Sequence, residues 1–140
     1  MGTNPFSLEK AIEIQGYDID YGGVVSNIVY VRWLDDLRSA LMKEHYPIEQ
    51  MAKDRVALVV NKTFAHYKKT ASFGDSLCAF IEMKKLEGIR WKLEAVIKNS
   101  SSGKVIFSAV QSGAFIDLDK GKPVSAPEIL VSKWKSFISR

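Results

Sequence analysis

The chain has 140 residues, enough for one domain with one core, and its 46% hydrophobic and 26% charged content is that of a globular protein. Formal net charge is +4, but the 20 basic residues are interspersed with 16 acids and form no dense basic run. That excludes the usual signature of a nucleic-acid binder and suits a small anionic ligand.

One cysteine, Cys78, rules out an intrachain disulfide, and Cys/His metal spacings are absent. The N-terminal segment lacks a basic-then-apolar leader. No apolar run approaches the roughly 18 residues that a membrane helix needs. A cytoplasmic protein without membrane contact is the expectation.

Residues 8–15 alternate, with Leu8, Ile12 and Ile14 against Glu9, Glu13 and Gln15, and predict a strand. Next comes the loop Tyr17-Asp18-Ile19-Asp20-Tyr21-Gly22-Gly23-Val24-Val25, which runs into Ser26 and Asn27 as helix-capping residues. Residues 28–43 predict a helix. Tyr30, Trp33, Leu34, Leu37, Ala40 and Leu41 share one face, with Arg32, Asp35, Asp36, Ser39 and Lys43 opposite. A short helix is expected around Pro47–Lys53.

After Arg55 the texture becomes that of strands, at 55–67, 76–86, 89–98 and 105–116. Glu87-Gly88 marks a hairpin and residues 99–104 a turn. Residues 129–138 suit a terminal helix anchored by Trp134 and Phe137. Short joins imply antiparallel neighbours, so the fold class is α+β, one long helix against a sheet of about five strands, in a single domain over 1–140. Apolar residues on both strand faces, Leu58 with Val59 and Ile106 with Phe107, call for a second subunit over what one helix leaves bare.

The pattern D-x-D-x-G-G-V-V-x-N-x-x-Y from Asp18 to Tyr30, followed by Arg32-Trp33-Leu34-Asp35, resembles the hotdog-fold thioesterases. The nearest look is to the 4-hydroxybenzoyl-CoA thioesterase family and its bacterial acyl-CoA thioesterase branch. Weaker agreement occurs at Tyr67 with Ala71, at Gly74-Asp75 and at Lys122-Pro123-Val124. The resemblance covers roughly residues 8–127. It implies a five-stranded antiparallel sheet wrapped around the long helix, and a homodimer or homotetramer. It also implies hydrolysis of an acyl-CoA with no metal or cofactor. The acyl group would be short- to medium-chain or aromatic.

On local pattern alone Asp20 reads as a turn acid. The resemblance makes it the catalytic carboxylate, as nucleophile or general base, with the backbone N–H at Asn27 as the carbonyl-polarising donor. Gly22, Gly23, Val24, Tyr30 and Asp35 are the candidate substrate contacts, although core packing is the plainer reading of Tyr30 and Trp33. Asp18 reads as a solvated loop acid, Cys78 as a small core residue, and His45 and His66 as histidines without catalytic partners.

The chain also departs from the family. Where the bacterial branch commonly carries His, it has Ser26-Asn27. The Tyr-Pro-Ala signature appears as Tyr67-Lys68-Lys69-Thr70-Ala71. The turn that grips CoA phosphates in the hydroxybenzoyl enzyme reads Leu86-Glu87-Gly88-Ile89-Arg90. Lys68, Lys69 and Arg90 are the candidate CoA-binding cations. Acyl carrier protein as the thiol carrier, and a non-catalytic thioester-binding protein, stay open beside acyl-CoA hydrolysis.

Overall fold

The computed structural model describes residues 3–139. Its elements are β1 (Ser7–Glu13), α1 (Asn27–His45), α2 (Ile48–Asp54), β2 (Val56–Tyr67), β3 (Ser76–Glu87), β4 (Arg90–Asn99), β5 (Val105–Asp117), β6 (Lys122–Val124) and α3 (Glu128–Ile138). A 3-10 turn at Gly16–Asp18 stands between β1 and the loop that leads to α1.

The strands form one antiparallel sheet in the order β1-β3-β4-β5-β2. Two-residue and short turns force the β3–β4–β5 meander, while β1 and β2 become the two edges. The expected five strands gain a sixth. The three residues of β6 pair with Phe115–Asp117 of β5, beyond the point where β4 begins at Arg90 opposite Ala114. So short a segment, with Pro123 in its middle, carries no strand pattern of its own.

The apolar stripe of α1 lies against the sheet and buries Val29, Tyr30, Trp33, Leu34, Leu37, Leu41 and Met42. Ala40, read onto the same face, is half-buried. The opposing wall comes from alternate residues of the central strands. Trp91, Leu93, Ala95 and Ile97 of β4 are buried while Lys92 and Lys98 are exposed. Each fully buried side chain of this size contributes roughly 1.5–3 kcal/mol relative to exposure.

Trp91 crosses β5 at Gly113, to which it is paired, and its indole N–H donates to the Ala114 carbonyl at 3.2 Å. A Cβ on Gly113 would fall 1.8 Å from the Val59 carbonyl oxygen and 2.6 Å from the Trp91 ring.

The outer face of the sheet keeps apolar residues in solvent, with Phe64 and Phe80 exposed. His66 lies on this face, beside Phe64, Glu94, Val96 and Ser108. Cys78 is not in the core as expected. It is half-buried, and its thiol donates to Glu9 Oε1 at 3.2 Å, which pushes the thiol pKa up. Among the described residues no helix is long and apolar enough to cross a membrane.

Candidate active site

The segment Ile19–Val25 folds back on itself as a small hairpin. Ile19 bridges Val25, the Asp20 N–H donates to the Val24 carbonyl at 2.9 Å, and the Gly23 N–H donates to the Asp20 carbonyl at 3.0 Å. Gly23 has a φ of 76°, so the turn needs a residue without Cβ there. The Gly22 N–H donates to Asp20 Oδ1 at 2.8 Å. This bond fixes the carboxylate over the turn, and Oδ2 has no protein partner among the described residues. Asp20 itself is exposed in the single chain.

Asp18 departs from expectation within this loop. It is 4% exposed, and its Oδ2 accepts the Gln15 N–H at 2.9 Å. The reading of Asp18 as a solvated acid is therefore corrected, because the 3-10 turn tucks its side chain back onto the end of β1. Its carbonyl accepts the Ser26 N–H at 3.1 Å, which joins the loop to the helix entrance.

Ser26 is the N-cap of α1, but its side chain makes no capping bond. The Val29 N–H returns to the Ser26 carbonyl, whereas the N–H groups of Asn27 and Ile28 find no acceptor among the described residues. Two unsatisfied donors at the positive tip of a 19-residue helix favour negative charge. The hairpin carrying Asp20 starts from this same tip.

A second segment closes over the loop. The Val25 N–H donates to the Ala71 carbonyl at 2.8 Å, Val24 bridges Ser72, and the Phe73 N–H reaches the Gly23 carbonyl at 3.4 Å. Thus Gly22, Gly23 and Val24 lie together with Asp20 on one loop, pinned by the β2–β3 connection. The Ser72 turn is held by Asp75, whose Oδ2 accepts the Ser72 N–H at 2.9 Å.

Tyr30 is a core residue, 3% exposed and stacked on Phe107 at 5.1 Å, with Trp33 and Tyr67 edge-on. Its hydroxyl is buried without a hydrogen-bond partner; the Ala71 amide approaches it without reaching hydrogen-bond geometry. Burial, and to a smaller extent Asp75, raise the phenol pKa.

Asp35 lies further down α1 and is half-exposed. Arg38 Nη1 donates to Asp35 Oδ1 at 2.6 Å and to Gln111 Oε1 at 2.6 Å, while Gln111 Nε2 donates to Thr63 Oγ1 at 3.1 Å. The sequence reading missed Gln111 and Arg38. Gln111 is a 2% exposed polar side chain on an otherwise apolar strand face.

Lys68 and Lys69 sit at the Asp20 end of the sheet, next to the Thr70–Ser72 segment. Arg90 starts β4 at the opposite end, opposite Ala114. Asp20, Gly22, Gly23 and Val24 thus share one loop that ends at Asn27, Lys68 and Lys69 precede the Ala71–Phe73 segment bonded to that loop, Asp35 lies lower on the helix, and Arg90 lies apart. The described residues hold no cluster of three or more His, Cys, Asp or Glu suited to a metal ion.

Known proteins are similar to this chain in sequence and fold. FadM of Escherichia coli K12, a long-chain acyl-CoA thioesterase, is 24% identical over 131 residues, 94% of this chain and 99% of its own. YbgC of Escherichia coli O6:H1, an acyl-CoA thioester hydrolase, is 28% identical over 119 residues, 84% of this chain and 88% of its own. The structure of SAV2348 from Staphylococcus aureus, solved in complex with CoA, superimposes with a TM-score of 0.90 at 11% identity, over 99% of this chain and 88% of the other. That likeness carries the fold, a hotdog. A family model described as the thioesterase-like superfamily matches residues 14–134, and the chain belongs to that superfamily.

Proposed function

We propose that the protein is an acyl-CoA thioesterase in which Asp20 performs the chemistry and the tip of α1 holds the oxyanion. The observation that carries this reading is a tethered carboxylate, Oδ1 fixed by Gly22 and Oδ2 free, on the loop that leads directly into α1, whose first N–H groups, those of Asn27 and Ile28, are unsatisfied. The thioester carbonyl would point at the helix tip. Developing negative charge on its oxygen gains the hydrogen bond and the helix dipole, an effect of about 3 kcal/mol on the barrier.

Two routes fit the same carboxylate. Oδ2 adds to the carbonyl carbon, the C–S bond breaks, and the thiolate leaves and takes a proton from water; a second water then opens the mixed anhydride. Alternatively Oδ2 takes a proton from water, the hydroxide adds, the same C–S bond breaks, and the departing thiolate takes that proton back from Oδ2. Both give a free acid and CoA.

The two relatives are named for acyl-CoA, which favours CoA over acyl carrier protein as the thiol. A short- to medium-chain or aromatic acyl group is the first expectation. The long-chain activity named for FadM extends the series worth assaying.

A homodimer completes the reading. β2 is an open sheet edge, with Val60, Phe64 and Tyr67 exposed, and an antiparallel copy of β2 would continue the sheet. A second pairing through the outer face would give a tetramer. The mass in solution, by light scattering, decides between them.

The test of the mechanism is Asp20→Asn. Asn keeps an oxygen for the Gly22 N–H, so the loop stays while the charge is lost. The expected result is a fall in kcat/KM of about 10²–10⁴ with unchanged oligomeric mass and melting temperature. Wild-type turnover in this variant would remove Asp20 from the reaction.

A further inference from the structure

Three segments meet at the end of the sheet that carries the Asp20 loop. The β2–β3 connection is one, tied to the loop through Val25–Ala71, Val24–Ser72 and Gly23–Phe73. The start of β5 is the second, because the N–H groups of Lys68 and Lys69 both donate to the Ile106 carbonyl, at 2.8 and 3.1 Å. The β4–β5 turn is the third, held to the start of β3 by the Ser100 N–H on the Ser76 carbonyl at 2.8 Å. Its last residue, Lys104, stands two positions before Ile106, and two extended residues span at most about 7 Å.

Lys68, Lys69 and Lys104 therefore stand within a small area, all exposed. Among the described residues none of the three has a carboxylate in ion-pair range. The ion pairs of the sheet's surface lie elsewhere: Lys84 with Glu82 and Glu94, Lys85 with Glu87, and Arg55 with Asp119. Lys98, near the same turn, has Glu9 beside it in the cavity that both line. The nearby Asp75 spends one oxygen on the Ser72 N–H. The result is a compact rim of three cations without an ion-pair partner, against the single nearby carboxylate of Asp75, at the end of the sheet that carries the proposed reaction centre.

We infer that Lys68, Lys69 and Lys104 form the docking site for the phosphates of the CoA nucleotide, and that Lys104 replaces Arg90 in this role. The inference rests on the thioesterase reading for its ligand. Three mobile ammonium groups over a small area match a compact polyanion, a diphosphate with a further phosphate, joined through the pantetheine arm to a sulfur at Asp20. A protein carrier would need a broader complementary face, whereas this positive area is confined to three loop positions. Arg90 cannot join them within the protomer, since it begins β4 at the other end.

The experiment places one acyl group on CoA, on dephospho-CoA and on N-acetylcysteamine, and compares wild type with Lys68→Ala/Lys69→Ala/Lys104→Ala and with Arg90→Ala. For acyl-CoA the triple variant is expected to raise KM about tenfold or more at low salt, with kcat within twofold and with a weaker dependence of KM on ionic strength. Its kcat/KM on the N-acetylcysteamine thioester, which has no phosphate, stays at the wild-type value. Arg90→Ala behaves as wild type. An unchanged KM for acyl-CoA, or an equal loss on the phosphate-free thioester, overturns the assignment. CoA binding by titration calorimetry is measured in parallel. If no thioester is hydrolysed by the wild type yet CoA binds, and binds more weakly to the triple variant, the hydrolase reading fails and the rim stands.

Discussion

Ser26 and Asp18 are joined across the loop by a 3.1 Å hydrogen bond from the Ser26 amide to the Asp18 carbonyl, and the buried Asp18 carboxylate reaches back to the Gln15 amide. One residue thus ties the end of β1, the 3-10 turn and the first residue before α1. Asp20, two positions on, inherits its placement from that tie.

Replacing Asp18 by Ala leaves the Gln15 N–H without its acceptor and a void beneath the loop. The expected cost is about 1–3 kcal/mol, read by chemical denaturation. A fall in kcat/KM should accompany it, because the loop that aims Asp20 is loosened. Asp18→Asn keeps an oxygen at the same place and should recover most of the stability. Equal loss in both variants would mean that charge, not the hydrogen bond, holds the turn.

Gly113→Ala tests the packing of the sheet. The added Cβ would overlap the Val59 carbonyl and the Trp91 ring, and backbone and a fully buried indole have little room to yield. Destabilisation beyond about 3 kcal/mol is expected, together with a changed Trp fluorescence. Gly16→Ala is the control. Nothing lies within 4 Å of a Cβ there, and its stability should stay within about 0.5 kcal/mol of wild type.

Periodicity carried most of the fold. The stripe Tyr30-Trp33-Leu34-Leu37-Leu41 and the alternation Trp91-Leu93-Ala95-Ile97 each report a single face, so α1 and β4 were legible to within a turn. The Asp20 loop was legible because glycines and acids between a strand and a helix leave few alternatives. Asp18 and Gln111 were not. A polar side chain is buried by partners distant in sequence, such as Arg38 for Gln111, and local spacing does not announce them. Cys78 failed for the converse reason. Its strand neighbours Leu77 and Ala79 are buried, and Cys78 points to the other face. The separation of Arg90 from the Asp20 loop, at opposite ends of the sheet, is set by strand topology, which sequence spacing does not show.

Gln111→Leu should separate packing from polarity in the network at mid-helix. The change to an apolar side chain of similar bulk removes the acceptor for Arg38 and the donors to Thr63 and Asp35. A loss of about 1–3 kcal/mol is expected, because Arg38 keeps only Asp35. In the background of Asp35→Ala/Arg38→Ala the same substitution should cost much less, and a thermodynamic cycle over these variants reads the coupling. Full additivity would show that the three side chains act independently.

The pH dependence of stability should report His45. This residue ends α1 against Phe6, ring centroids 4.4 Å apart, and Lys133 Nζ lies 3.3 Å from Nδ1. An ammonium can only donate, so Nδ1 is the unprotonated nitrogen. Burial first, and the Lys133 charge second, hold the imidazole pKa below its ordinary value, with the Pro5 carbonyl and Glu44 opposing weakly. A pKa depressed by folding means that the unfolded chain binds the proton more readily. The stabilisation is therefore complete above the unfolded value near 6.5 and is lost as pH falls toward the folded value. Asp54, held low by the Tyr46 hydroxyl, adds a loss of the same sign only at more acid pH. The melting temperature should drop between pH 7 and pH 5 in the wild type, and His45→Gln should flatten that drop. An unchanged slope in the variant would assign the acid sensitivity to groups other than His45.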